Sequence, residues 1–145
     1  MLIAESPTAT AVRAPLLHRR RAPLRLLFFG FLSWLPVFAT ATAAQTWRAS
    51  DFPLFQALVV ITMAAATVLF ASAYLREAGP ATLRHGIASG LTWMATHLAL
   101  GMLAFVGGPL EMPMTHFRTL AICTAIIPVI TVGLAHQASR RILSP

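Results

Sequence analysis

The chain has 145 residues, of which 57% are hydrophobic and only 10% charged, and its net charge is +7. Soluble domains typically carry about 25% charged residues, so this composition is that of an integral membrane protein and leaves no room for a separate soluble domain. All 11 basic residues are arginine. They lie in the tails and between the apolar runs, where membrane topology requires them, so we expect no nucleic-acid partner.

Residues 1–23 form a tail rich in alanine, proline, threonine and arginine, whose lack of an apolar period predicts disorder. Residues 24–44 then form an apolar run long enough for a first membrane span. A cleaved secretory signal is the alternative, because small residues end this run. The run is longer than the usual signal core of about 7–15 residues, so we expect the mature protein to keep this helix.

Three further apolar runs predict three more spans and a short C-terminal tail: residues 52–75, 86–107 and 117–136, then 137–145. Pro36 and Pro128 interrupt the first and the fourth run, where each removes a backbone donor and frees the carbonyl four residues earlier. Short connections predict that sequential helices are antiparallel neighbours. The predicted fold class is all-α, an integral membrane up-down four-helix bundle over residues 24–136.

The third run carries small residues and one histidine along a single helical face. Spacings of three and four residues place the following on that face: Gly86, Gly90, Trp93, His97, Gly101 and Ala104. Glycines on such a face let another helix approach closely. We therefore predict that Gly86, Gly90, Trp93 and Gly101 are helix-packing residues.

Three short segments of the chain carry a resemblance to other proteins. Residues 90–93 (GLTW), 108–112 (GPLEM) and 127–133 (IPVITVG) resemble segments of a group of small, uncharacterised four-helix prokaryotic integral membrane proteins. The resemblance implies the same fold and a membrane location, which we expect to be the bacterial inner membrane, and it implies no known chemistry. In that group an acidic residue often follows the Gly-Leu-x-Trp segment. Leu100 and Gly101 occupy that part of this helix, so an activity that needs the acid is in doubt here.

His97 is the ionisable residue near the middle of an apolar run. Ionisable groups inside membranes are functional by default, which makes His97 a candidate cofactor ligand or proton relay. Haem bound by two histidines needs a second one at the same depth, and the middles of the other runs, near Trp34, Met63 and Ile127, contain none. The alternative is a neutral imidazole that hydrogen-bonds across the bundle to a hydroxyl or to a carbonyl freed by proline. We expect no bound cofactor.

The segment after the third run contains soft side chains, Met112, Met114 and His116, with Pro113 between the methionines. Two thioethers and an imidazole suit Cu(I), so these residues are candidate metal ligands on the extracytoplasmic side. The alternative is that the methionines are apolar side chains entering the membrane interface.

The sequence favours a protein without enzymatic activity. Its four carboxylates lie outside the apolar runs, and no nucleophile has a base at motif spacing. The preferred function is an accessory or assembly subunit of a larger membrane complex. The alternative is a small oligomeric transporter or ion-handling protein that uses His97 and the proline-broken helices. The expected partners are the lipid bilayer and either a larger membrane complex or further copies of the chain.

The arginine distribution predicts that both termini lie in the cytoplasm. Nine arginines lie in the two tails, in the connection after the second run or, in the case of Arg25, at the start of the first run, whereas only Arg48 and Arg118 lie on the other side. Reporter fusions at Ser50 and at Pro145 should therefore report opposite sides of the membrane. Reports from the same side would exclude four crossings in this orientation.

Overall fold

The computed structural model describes residues 14–77, 83–106, 108 and 112–143, with the backbone alone for residues 14–22 and 141–143. Its helices are α1 (Ala14–Ala43), α2 (Gln45–Ser50), α3 (Phe52–Glu77), α4 (Leu83–Phe105), α5 (Met114–Cys123) and α6 (Ile126–Leu143). The described residues contain no strand, so the predicted all-α class is confirmed.

Within the described residues, four stretches are long and apolar enough to cross a membrane: Pro23–Ala43, Phe52–Glu77, Leu83–Phe105 and Met114–Arg140. Each has at least the length that a hydrocarbon core of about 30 Å requires. Together they indicate a multi-pass membrane protein.

The first and last helices extend beyond the predicted spans. α1 begins at Ala14, so the backbone of residues 14–22 is helical where the sequence predicted disorder. Alanine, leucine and arginine are good helix formers, and Pro15 falls in the first turn, where its missing N–H has no acceptor within the helix. α6 likewise continues to Leu143, into the predicted tail. The predicted disorder of residues 1–13 lies outside the described residues.

The fourth span consists of two helices, because the chain turns at Thr124 and Ala125 before Pro128. Pro128 has no N–H, and its ring would clash with the Thr124 carbonyl in a continuous helix. That carbonyl instead accepts a hydrogen bond from the N–H of Ile127 at 3.0 Å. The Thr124 hydroxyl donates to the Ala121 carbonyl at 2.7 Å, which supplies a further bond at the break.

Pro36 has a different effect, since α1 continues through it. The Ser33 hydroxyl donates to the Gly30 carbonyl at 2.8 Å, so it does not donate to the Leu32 carbonyl that Pro36 leaves without its helical hydrogen bond. The two prolines therefore produce a break in the fourth span and an uninterrupted helix in the first.

The order of the helices around the core differs from the prediction in one respect. α1 packs against α3 and α4 against α6, as sequential neighbours, while α4 also packs against α1 and α6 against α3. Within the described residues α3 and α4 share few direct contacts, so the prediction that all sequential helices are neighbours is wrong for this pair. The faces of α4 explain the arrangement, because its glycines meet α6 and its tryptophan meets α1.

Two glycines bring α4 directly against α6. A Cβ on Gly86 would lie 2.6 Å from the Ala135 Cβ, and a Cβ on Gly90 would lie 2.6 Å from the Pro128 Cα. Both distances are too short for van der Waals contact, so only glycine permits this separation of the helices. The Thr131 hydroxyl crosses the contact and donates to the Gly86 carbonyl at 3.0 Å.

Gly101 lies on the same buried face of α4, but no close backbone approach occurs there. A Cβ at this position would lie 3.6 Å from the Phe117 ring and 3.9 Å from the Phe105 ring, which are ordinary contact distances. Aromatic side chains therefore border Gly101, and a methyl group fits.

Replacing Gly90 with alanine should destabilise the bundle by about 1–3 kcal/mol, the usual cost of overpacking, because the new methyl group meets the Pro128 backbone. Gly133→Ala on α6 is the matched control, since a Cβ there would meet nothing within 4 Å. The control should be neutral or stabilising, because alanine favours helices over glycine. Thermal unfolding in detergent measures both, and equal shifts would contradict the close contact.

Candidate functional site

His97 lies in the middle of α4 and is buried in the bundle, with 4% of its surface exposed. Its Nδ1 lies 3.0 Å from the Trp93 carbonyl, one turn earlier in the same helix. A carbonyl can only accept a hydrogen bond, so in the neutral ring Nδ1 carries the proton and Nε2 carries the lone pair. This contact therefore assigns the tautomer and leaves Nε2 as an acceptor.

The Nε2 atom of His97 has no hydrogen-bond partner among the described residues. A backbone carbonyl can only accept a hydrogen bond, so carbonyls of the neighbouring helices cannot satisfy Nε2 in this tautomer. The imidazole thus bonds to its own helix, and the bond across the bundle that the sequence suggested is not found.

The imidazole borders a cavity of about 40 Å³ in the interior of the bundle. Side chains from all four spans line it, mostly aromatic and aliphatic: Trp34, Val37, Met63, Phe105, Phe117 and Leu120, with Thr124 at the helix break. One water needs about 10–15 Å³, and a cavity that takes benzene has about 150 Å³. The space therefore fits only molecules of very few heavy atoms, and haem would require the helices to separate.

Trp93 joins α4 to α1 through a hydrogen bond, and it thereby positions His97 one turn later on α4. Its side chain is fully buried, and its Nε1–H donates to the Leu26 carbonyl at 2.8 Å. The ring also meets Tyr74 of α3 edge-on, with 6.0 Å between ring centroids. Its other neighbour is Gly30, where a Cβ would lie 2.8 Å from the Trp93 Cδ1.

The sequence reasoning missed the contribution of Gly30. The signal was present, because Gly30 begins a face of small or medium side chains on α1 that continues with Ser33, Val37 and Ala41 at helical spacing, followed by Ala44 just after the helix. All five are buried. Pro36 lies in the same stretch, and the helix continues through it.

The three candidate metal ligands lie in different surroundings. Met112 is buried in the core, Met114 is 45% exposed, and the His116 ring stacks on Phe52 with centroids 3.8 Å apart. α5 begins at Met114, so Met114 and His116 are two positions apart on a helix and face different directions. Pro113, which precedes this helix, has an extended backbone with φ −55° and ψ 139°. Among the described residues, no three His, Cys, Asp or Glu side chains are grouped to hold a metal ion.

The two carboxylates within the described part of the chain lie at helix ends. Asp51 precedes α3, and its Oδ1 accepts a hydrogen bond from the N–H of Leu54 at 3.1 Å. This is the geometry of a helix cap. Glu77 is the last residue of α3. The Asp51 carboxylate therefore stabilises the start of a helix.

Comparison with protein-family models, with curated proteins and with solved structures found no match to this chain. The resemblance to small four-helix membrane proteins stays a prediction, and the functional argument rests on the geometry of the bundle.

Trp93→Phe should destabilise the protein by about 0.5–1.5 kcal/mol, the usual net value of one hydrogen bond, because phenylalanine cannot donate to the Leu26 carbonyl. Trp34→Phe is the matched control. The Trp34 ring stacks on Phe38 at 4.8 Å, a contact that phenylalanine can keep. Chemical unfolding in detergent would measure both, and a smaller loss for Trp93→Phe than for Trp34→Phe would contradict this role of the indole N–H.

Proposed function

We propose that this chain is a multi-pass inner-membrane protein without catalytic activity, which serves as an accessory or assembly subunit by packing against a larger membrane partner. The observation that carries this proposal is that buried hydroxyl groups of the spans donate hydrogen bonds to backbone carbonyls of the helices.

Buried hydroxyls in the four spans donate to backbone carbonyls close by. Thr67 donates to Met63 at 2.7 Å, Ser89 to Gly86 at 3.1 Å, and Thr131 to Gly86 across the helix contact. A transport path instead needs polar groups that remain free to line a route for the solute. Because these hydroxyls are bonded to the backbone of the helices, they support a structural role within the membrane.

The outer surface of the bundle offers bulky apolar side chains. Those more than 60% exposed are Leu24, Ile61, Leu69, Leu103, Ile122 and Val129. Such a surface suits lipid acyl chains and the apolar helices of a partner equally well. A protein of this kind acts through contacts at its surface, which is the property an accessory subunit needs.

One observation favours the alternative, a small oligomeric transporter or ion-handling protein. The cavity is bordered by His97, whose Nε2 has no partner among the described residues, and by Thr124 at the helix break. Transporters place their substrate sites where membrane helices are broken. The cavity would then be one part of a route that opens in another conformation or between copies of the chain.

Gentle purification from native membranes, followed by mass spectrometry, separates the two proposals. An accessory subunit should bring down the same larger partner with the native chain and with His97→Leu, because the buried imidazole contributes no surface contact. A homo-oligomer that moves a solute into liposomes, and loses this flux in His97→Leu, would overturn the accessory role in favour of transport.

A further inference from the structure

We propose that the cavity beside His97 is a hydration site, in which water donates one hydrogen bond to the His97 Nε2 and another to the Thr124 hydroxyl oxygen. This inference concerns the interior of the bundle, and it does not depend on whether the protein is an accessory subunit or a transporter.

The first acceptor is the His97 Nε2. The bond from Nδ1–H to the Trp93 carbonyl leaves the lone pair on Nε2, at the opposite side of the ring. That atom is buried and unpaired among the described residues. Only a hydrogen-bond donor can satisfy it, and no described side chain supplies one, so we assign the donor to a molecule in the cavity that His97 lines.

The second acceptor is the oxygen of Thr124. Its hydroxyl proton is committed to the Ala121 carbonyl at 2.7 Å, so the lone pairs of the oxygen remain available. Thr124 lines the same cavity as His97, because Pro128 breaks the fourth span at this level. Water has two donors, which matches the two acceptors that the walls present.

The size of the cavity and the two acceptors on its mostly apolar walls favour water over larger occupants. A volume of about 40 Å³ holds about one to three waters, at about 10–15 Å³ for each. A metal ion would find few ligands, because Met63 and His97 are the cavity-lining side chains that suit one. A neutral molecule with donors therefore fits the site better than a cation does.

Nuclear magnetic resonance of the protein in lipid bilayers, labelled with ¹⁵N-histidine, tests the site directly. The signal of His97 is the one that disappears in His97→Gln. We expect polarisation to pass from water protons to the His97 ring, as it should at His136 near the end of α6. Transfer to His136 without transfer to His97 would overturn the proposal.

A matched pair of variants gives an independent test. Gly101 lines the cavity, and a Cβ there makes ordinary contacts, whereas a Cβ on Gly133 meets nothing within 4 Å. Both changes to alanine gain the same helix propensity. If water occupies the cavity, the methyl group of Gly101→Ala displaces it and leaves Nε2 unpaired, so the Tm should fall below that of Gly133→Ala.

If the cavity is dry, the difference in Tm between Gly101→Ala and Gly133→Ala should have the opposite sign. The added methyl group would then fill empty space and gain dispersion contacts, so Gly101→Ala should have a Tm above that of Gly133→Ala. That result would overturn the proposal. If Gly101→Ala does not fold, the water transfer to His97 in the native chain decides the question alone.

Discussion

The close contact between α4 and α6 at Gly86 and Gly90 determines the positions of the remaining parts of the core. Without side chains at these two positions, the backbone of α4 lies against Pro128 and Ala135 of α6. Successive turns of the same face then carry Trp93 towards α1 and His97 into the interior. α3 completes the core by packing against both α1 and α6.

Much of this arrangement could be predicted from the sequence because a helix repeats regularly. The spacing of Gly86, Gly90, Trp93 and His97 identifies one face of α4 without knowledge of its neighbours, and all four are buried. Periodicity cannot identify the helix that meets that face, which explains the error in helix order. Which helix meets that face depends on contacts between residues far apart in the sequence, such as Gly30 and Trp93.

The segments around prolines were harder to predict, because proline removes the same N–H wherever it occurs while the consequence depends on the surrounding residues. α1 continues through Pro36, whereas the fourth span turns before Pro128, where the Thr124 hydroxyl can bond within the turn. The helical first turn at Met114 was missed for a related reason. Pro113 has an extended backbone, but it immediately precedes a helix, so Met114 and His116 lie on a helical turn.

The bonds that the hydroxyl groups make distinguish two stages in the formation of the protein. Bonds from Thr67 to Met63 or from Ser33 to Gly30 lie within one helix, so a single helix inserted in the bilayer can already form them. They reduce the cost of transferring each helix from water into lipid and contribute little to association between helices. Association depends instead on the glycine contacts and on a small number of bonds between helices, such as that from Trp93 to Leu26. Sequence changes at hydroxyl residues that bond within one helix, such as Ser33 and Thr67, would thus affect membrane insertion, whereas changes at the glycines would affect assembly of helices that have already been inserted.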